Sequence, residues 1–301
     1  MGIQWHGFGE GRSQYAARYR EPALLGRPLD ASFALEGDLA ESLYTSTQWT
    51  LRLGARPWTR GRASLGVDRS STVYTGAASG TSGTWSLEGG FGWEGQTPRI
   101  NPDRGVAASV SLSAGRRSES YAGIAPDQRA IARASLGGSI ALPAGTRRAL
   151  VAAVRFDRVA LSRGPGFPAE ELRFLGGSEG LRGHADREFA GDRVLAASLE
   201  HRWIGAGESR TYLFLDAGYH ALGSPVVAGS TPIAASLLTA GPAAAASGSL
   251  ARTRLSNGWE FGYGAGLRTR LASGAMGIEL GYAPGASIRE GKLHIHYASN
   301  W

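Results

Sequence analysis

The sequence predicts an all-β fold, an antiparallel transmembrane β-barrel of about fourteen strands, and three observations predict it. First, Trp259, Phe261, Tyr263, Ala265, Leu267, Thr269 and Leu271 alternate with Glu260, Gly262, Gly264, Gly266, Arg268 and Arg270. Period two held from 259 to 271 is about twice the usual strand length and close to what a tilted strand needs to cross a bilayer. Second, no apolar run approaches the ~18 residues of a transmembrane helix. Third, links after even strands are mostly short (143–147, 205–209, 272–273), while several after odd strands are long (72–82, 116–129, 162–192, 221–257). Short turns at one end and long loops at the other are the pattern of an outer-membrane barrel.

The strands run in order at 3–10, 12–21, 28–37, 42–54, 61–71, 83–94, 105–115, 130–142, 148–161, 193–204, 210–220, 258–271, 274–283 and 291–301. The same alternation places Trp85, Leu87, Phe91 and Trp93 against Ser86, Glu88, Gly90 and Glu94, and Met276, Ile278, Leu280 and Tyr282 against Glu279 and Gly281. Aromatics at the start of an apolar face suit a membrane interface. An even count brings both termini to the short-turn end, the periplasm, and closure is expected between 3–10 and 291–301. A soluble sandwich alternates too, but with strands about half this long and fewer inward glycines. Helical signal is weak; only Ala235 to Ala246 could form a short helix, interrupted at Gly241-Pro242.

Composition fits the same fold. The chain has 301 residues, 45 glycines, no cysteine and 19% charged residues, as a single β-rich domain of this size could. Without cysteine there is no disulfide framework or thiolate metal site, which suits passage through an oxidising compartment. The net charge of +7 comes almost wholly from arginines scattered at period two rather than clustered. That spacing lines or rims a polar interior and argues against a nucleic-acid partner. Met1-Gly2-Ile3-Gln4-Trp5-His6 begins directly in alternation, with no signal peptide, so a mature chain or a fragment is expected.

Two motifs invite chemistry and fail on context. Gly176-Gly177-Ser178-Glu179-Gly180 matches the nucleophile elbow of serine hydrolases, but glycines flank it and no helical period comes after it. His294 and His296 share a strand face, where filling a polar lumen opposite Leu293, Ile295 and Tyr297 is the simpler role than binding a metal. No catalytic residue, metal site or cofactor is expected. Gly262-Tyr263-Gly264-Ala265-Gly266 lies within a strand, so it is no phosphate loop and instead leaves interior room for bulk from elsewhere.

That bulk is expected from the 162–192 loop, whose motif runs Phe174-Leu175-Gly176-Gly177 to Leu181-Arg182-Gly183-His184. Parity sets Glu200 and Arg202 opposite Leu199 and Trp203, and Asp216 opposite Leu215 and Ala217, so both acids point inward. A guanidinium presents a planar fork of donors that serves two carboxylates at once. If the loop turns inward, Arg182 sits between Glu200 and Asp216 and pins it to the wall.

The loop motif, with Ala197-Ser198-Leu199-Glu200 and Phe214-Leu215-Asp216-Ala217-Gly218 after it, resembles the bacterial surface antigen superfamily of outer-membrane barrels, the BamA and TamA type. Tyr19-Arg20-Glu21-Pro22-Ala23-Leu24-Leu25-Gly26, leading into the third strand, and Pro98-Arg99-Ile100-Asn101-Pro102-Asp103-Arg104-Gly105, before a strand, also resemble family segments. The resemblance implies a re-entrant loop in which Arg182 meets wall acids Glu200 and Asp216, with Gly183 as its tight-turn partner. It implies that Leu293, Ile295, Tyr297 and Trp301 form a C-terminal assembly signal. His184 stands where the family has an aromatic, about fourteen strands are read where the family has sixteen, one hairpin more, and no periplasmic POTRA segment precedes the first strand in this chain.

A single barrel domain over 1–301 is therefore expected, integral to a bacterial outer membrane, inserting or translocating other polypeptides and not acting as an enzyme. A barrel that anchors or secretes a patatin-like or two-partner-type protein is the second reading, and a passive pore the third. Expected partners are outer-membrane lipid, client β-barrel or secreted polypeptides, and periplasmic or lipoprotein accessory subunits.

Overall fold

The computed structural model describes residues 2–9, 12–40, 44–75, 79–97, 101–121, 125–162, 164, 166–178, 180–205, 209–228, 231–232, 253–271 and 274–299. Trp301, Ala235 to Ala246, Glu179 and the segment 98–100 lie outside them. The strands are β1 (Gly2–Gly9), β2 (Arg12–Glu21), β3 (Leu29–Ala40), β4 (Tyr44–Ala55), β5 (Gly61–Tyr74), β6 (Gly80–Glu94), β7 (Gly105–Tyr121), β8 (Asp127–Pro143) and β9 (Arg148–Leu161). Short strands β10 (Phe167–Pro168), β11 (Arg173–Leu175) and β12 (Phe189–Gly191) come next, then β13 (Arg193–Ile204) and β14 (Arg210–Ala221). After the short β15 (Val226–Ala228) and β16 (Thr231–Pro232) come β17 (Gly258–Leu271), β18 (Gly274–Tyr282) and β19 (Lys292–Ser299).

Fourteen of these form one sheet, in the order β1-β2-β3-β4-β5-β6-β7-β8-β9-β13-β14-β17-β18-β19, each antiparallel to the next. Alternation sorts the faces. Leu65, Leu87, Leu112, Leu215, Phe261 and Ile295 are exposed on one, while Asp68, Arg117, Glu119, Asp216 and Glu279 are buried on the other. This inverts the soluble arrangement: apolar rows face out and charge lies inside, as a lipid-facing wall requires.

The sheet curls. Arg182 bonds Glu279 on β18, and Arg187, five residues on, comes within 4.0 Å of Asp38 on β3. Strands β3 and β18 are third and thirteenth in the order, so a flat sheet would hold them roughly 48 Å apart at about 4.8 Å per strand. Gly183 lies directly against the Tyr282 backbone of β18, and from there four residues with the extended Arg187 and Asp38 side chains reach at most about 35 Å. Only a sheet wrapped around the 166–192 segment satisfies both contacts.

Three expectations are corrected. β1 and β19, expected to close the cylinder, share no ladder among the described residues. Both edges are only eight residues long, and the β1–β2 register slips between Gly7 and Gly9, so few aligned backbone groups are available for a seam. The links read as long at 72–82 and 116–129 are short instead, because β5 runs to Tyr74, β6 starts at Gly80, β7 continues to Tyr121 and β8 starts at Asp127. The polar run Arg116-Arg117-Ser118-Glu119 looks like loop, yet it extends a strand whose charged side chains are satisfied inside.

Candidate functional site

The segment between β9 and β13 is fastened along its length. At its start, Arg129 donates to the carbonyls of Ser162 and Gly166 at 3.0 and 2.8 Å. A single 3-10 turn, Ala169–Glu171, then presents two acids to the far wall. Glu170 accepts from Arg117 of β7 and from the Tyr74 hydroxyl of β5, and Glu171 accepts from Arg133 of β8 at 2.7 and 3.1 Å. Arg117 also donates to Glu119 on its own strand.

Burial pushes the Glu171 carboxyl up, but the guanidiniums of Arg133, Arg117 and Arg173 outweigh it and hold it at about 2. A carboxyl lowered from its ordinary 4.5 to that value contributes on the order of 3 kcal/mol. Because the folded value lies below the unfolded one, that stability is present above about pH 4.5 and lost as pH falls towards 2. Glu171→Gln is therefore expected to lower the melting temperature at pH 7 and to flatten stability against pH between 4.5 and 2. A variant with the wild-type acid profile would refute this.

β11 pairs with β12 and carries the chain to the motif. Gly176 (φ +123°) and Gly177 (φ +76°) take a conformation that residues with a Cβ avoid, and a Cβ on Gly177 would fall 1.6 Å from Asp186 Oδ1. The turn closes with the Leu181 N–H donating to the Gly177 carbonyl at 3.2 Å, and buries Leu181 among Leu175, Phe189, Val194 and Ala196. Ser178 sits in this turn. No α-helix comes after it among the described residues, as a nucleophile elbow would need.

Arg182 is next, 5% exposed, and uses its whole fork. Nε and Nη2 donate to the two oxygens of Asp216 at 2.8 and 2.7 Å, and the Arg182 backbone N–H adds a third bond to the same carboxylate at 3.0 Å. Nη1 reaches Glu200 at 2.8 Å and Glu279 at 3.1 Å, while Nη2 also donates to Ser198 Oγ at 2.7 Å. The guanidinium lies over the Phe214 ring, 3.7 Å from its centroid. Three acids on β13, β14 and β18 thus share one cation delivered by the loop.

Backbone contact makes this reach possible. Gly183 (φ +93°) lies on β18, where an added Cβ would come within 2.5 Å of the Tyr282 carbonyl. A Cβ on Gly262 of β17 would meet the Arg182 carbonyl oxygen at 1.8 Å, and one on Gly281 of β18 would meet the Gly183 nitrogen at 2.4 Å. Glycine on loop and wall together lets the tip lie against the strands.

His184 packs edge-on to Phe189, 5.0 Å between ring centroids. Its Nε2 is 2.9 Å from the Phe261 carbonyl and its Nδ1 3.5 Å from Glu188. Burial disfavours a charged imidazole, but Glu188 and the Phe261 carbonyl raise the His184 pKa above its ordinary value. Arg187 then stacks over Phe174 at 3.7 Å.

The structure thus brings together Arg182, Gly183, Glu200 and Asp216, with Gly176, Gly177, Leu181 and His184 shaping the approach. Sequence reasoning missed Glu279, Ser198 and Phe214, and the whole Glu170 and Glu171 anchorage. Parity marks Glu279 as inward, and the Glu170-Glu171 pair within a loop facing arginine-bearing strands is a second signal. Leu293, Ile295 and Tyr297 are exposed on the outer face of β19. His294 lies opposite Glu279 and His296 opposite Gly277, with His296 Nε2 4.0 Å from Glu279, and no metal-binding group forms among the described residues.

A family model described as the Omp85 superfamily domain matches residues 5–290. Among solved structures, BamA from Haemophilus ducreyi lacking POTRA domains 1–3 is 12% identical with a TM-score of 0.66, covering 95% of this chain and 61% of that one. CdiB from Escherichia coli is 12% identical with a TM-score of 0.56, covering 96% of this chain and 60% of that one. CdiB from Acinetobacter baumannii is 11% identical with a TM-score of 0.50, covering 95% and 56%. At such identity the likeness is one of fold, and the chain spans about three fifths of the length of these structures. No curated protein matches it.

Proposed function

The chain belongs to the Omp85 superfamily, and from that premise we propose that it is an outer-membrane barrel that inserts or translocates other polypeptides. Residues 1–301 act as one barrel domain whose 162–192 loop occupies the lumen, with Arg182, Gly183, Glu200 and Asp216 as the lock that holds it. Its outward apolar rows meet lipid, and Leu293, Ile295, Tyr297 and Trp301 serve as the signal for its own assembly. Clients are β-barrel or secreted polypeptides, and periplasmic or lipoprotein subunits assist. The reading includes no enzymatic step.

The observation that carries this is the single buried guanidinium shared by three wall acids. A passive pore gains nothing from a loop so firmly held across its channel. The short β1 and β19 edges, which share no ladder among the described residues, support the reading further, since unpaired strand edges accept an added strand. The CdiB likeness favours a second reading, a barrel that secretes a dedicated partner.

Vesicles carrying this protein should speed the folding of an unfolded eight-stranded outer-membrane barrel severalfold over empty vesicles, monitored by heat-modifiable gel mobility. Equal rates would remove the insertion reading. Steady large conductance in planar bilayers would favour the pore.

A further inference from the structure

Inside the curled sheet, at the end where β13 turns into β14, lie Arg210 and Arg268, which the loop lock does not use, beside Arg202, which donates to the lock acid Glu200. Arg210 opens β14 directly opposite Arg268 of β17. Arg202 of β13, paired with Tyr212, lies one inward position away from Arg210. Among the described residues the only carboxylate reaching this group is Glu200, and both its oxygens are taken: Oε1 by Arg182 at 2.8 Å, Oε2 by Arg202 at 2.7 Å. Arg210 Nη2 stays 4.0 Å from that Oε2, beyond hydrogen-bonding distance.

Arg210 is nevertheless 6% exposed, and its Nε has no hydrogen-bond partner among the described residues. The Tyr212 ring covers its inner side, 5.0 Å from the guanidinium. Arg268 makes no ion pair among the described residues, and its neighbour on β18 is Gly277, over which the His296 ring lies and which offers no carboxylate. Buried donors left unpaired beside like charges are costly and call for an acceptor.

We propose that Arg202, Arg210 and Arg268 form a carboxylate-binding site for an acidic peptide segment entering the barrel from the short-turn end. The three side chains face inward, away from lipid, which leaves chains arriving from that compartment as the source. The choice of a peptide rests on the function proposed above; the anion chemistry does not. A carboxylate placed between Arg210 and Arg268 receives forked donors from both and relieves their repulsion.

The test is fluorescence anisotropy of labelled hexaglutamate against the refolded full chain in detergent, with hexalysine and inorganic phosphate as comparison arms. Hexaglutamate should bind, weaken as salt rises, and bind at least about tenfold more weakly to Arg210→Gln and Arg268→Gln. Both variants should melt no lower than the parent, because each removes a charge that has no carboxylate within hydrogen-bonding distance among the described residues. Arg268→Gln, at the less buried position, guards against a folding defect in the other. No binding by the parent, or undiminished binding by the folded variants, would overturn the site. Phosphate binding as well as the peptide does would overturn the peptide assignment. If peptide binding persists while client folding is not accelerated, the proposed function falls and the site stands.

Discussion

Arg182→Ala should destabilise the protein by about 3–5 kcal/mol, the usual cost of stripping a buried ion pair of one partner. Asp216 and Glu279 are 4% and 5% exposed, and neither regains water when the guanidinium goes. Arg182 is the largest source of compensation for both, since Asp216 receives three bonds from this residue and Glu279, among the described residues, keeps only the Tyr212 hydroxyl and a distant His296. Urea unfolding in detergent, read out by heat-modifiable mobility, measures the loss. Arg182→Lys restores the charge but not the fork, so it should recover less than half. A loss below about 1 kcal/mol would mean that the acids find other partners and the loop is not held by charge.

Gly262→Ala should cost nearly as much by a different route. Its new methyl would sit 1.8 Å from the Arg182 carbonyl oxygen, a backbone atom that cannot swing aside, so the loop tip must lift from β17. Lifting it breaks the Asp216 fork, and the double variant with Arg182→Ala should therefore lose little more than either single one. Gly89→Ala in β6 is the control, because a Cβ there meets nothing within 4 Å. Its stability should be unchanged or slightly raised. Fully additive losses in the double variant would show that Gly262 and Arg182 act independently.

Period-two alternation made the strands and the inward acids legible, because one residue of slip would turn every charge towards lipid. Glu200 and Asp216 could be read this way, and so could the inward pointing of Glu279. What parity cannot give is which inward residues meet across the cylinder. That depends on curl and register accumulated over many strands, so Glu279, β18's contribution, was visible only as one polar residue in a row. The ends of β7 and β8 were misread for a related reason. Arg117 and Arg129 are strand residues here because their partners, Glu170 and the carbonyls of Ser162 and Gly166, come from a later loop, and Glu119 is held in turn by Arg117. The seam was illegible because closure depends on backbone alignment between two short termini, which side-chain pattern does not encode.

The Glu170 and Glu171 anchorage grips β5, β7 and β8, and Arg182 grips β13, β14 and β18, with one short stretch of chain between. That stretch is a strut across a curled sheet whose two edges share no ladder among the described residues. On the function proposed above, such a strut would fix the cross-section from within, so that β1 and β19 could part without the cylinder flattening.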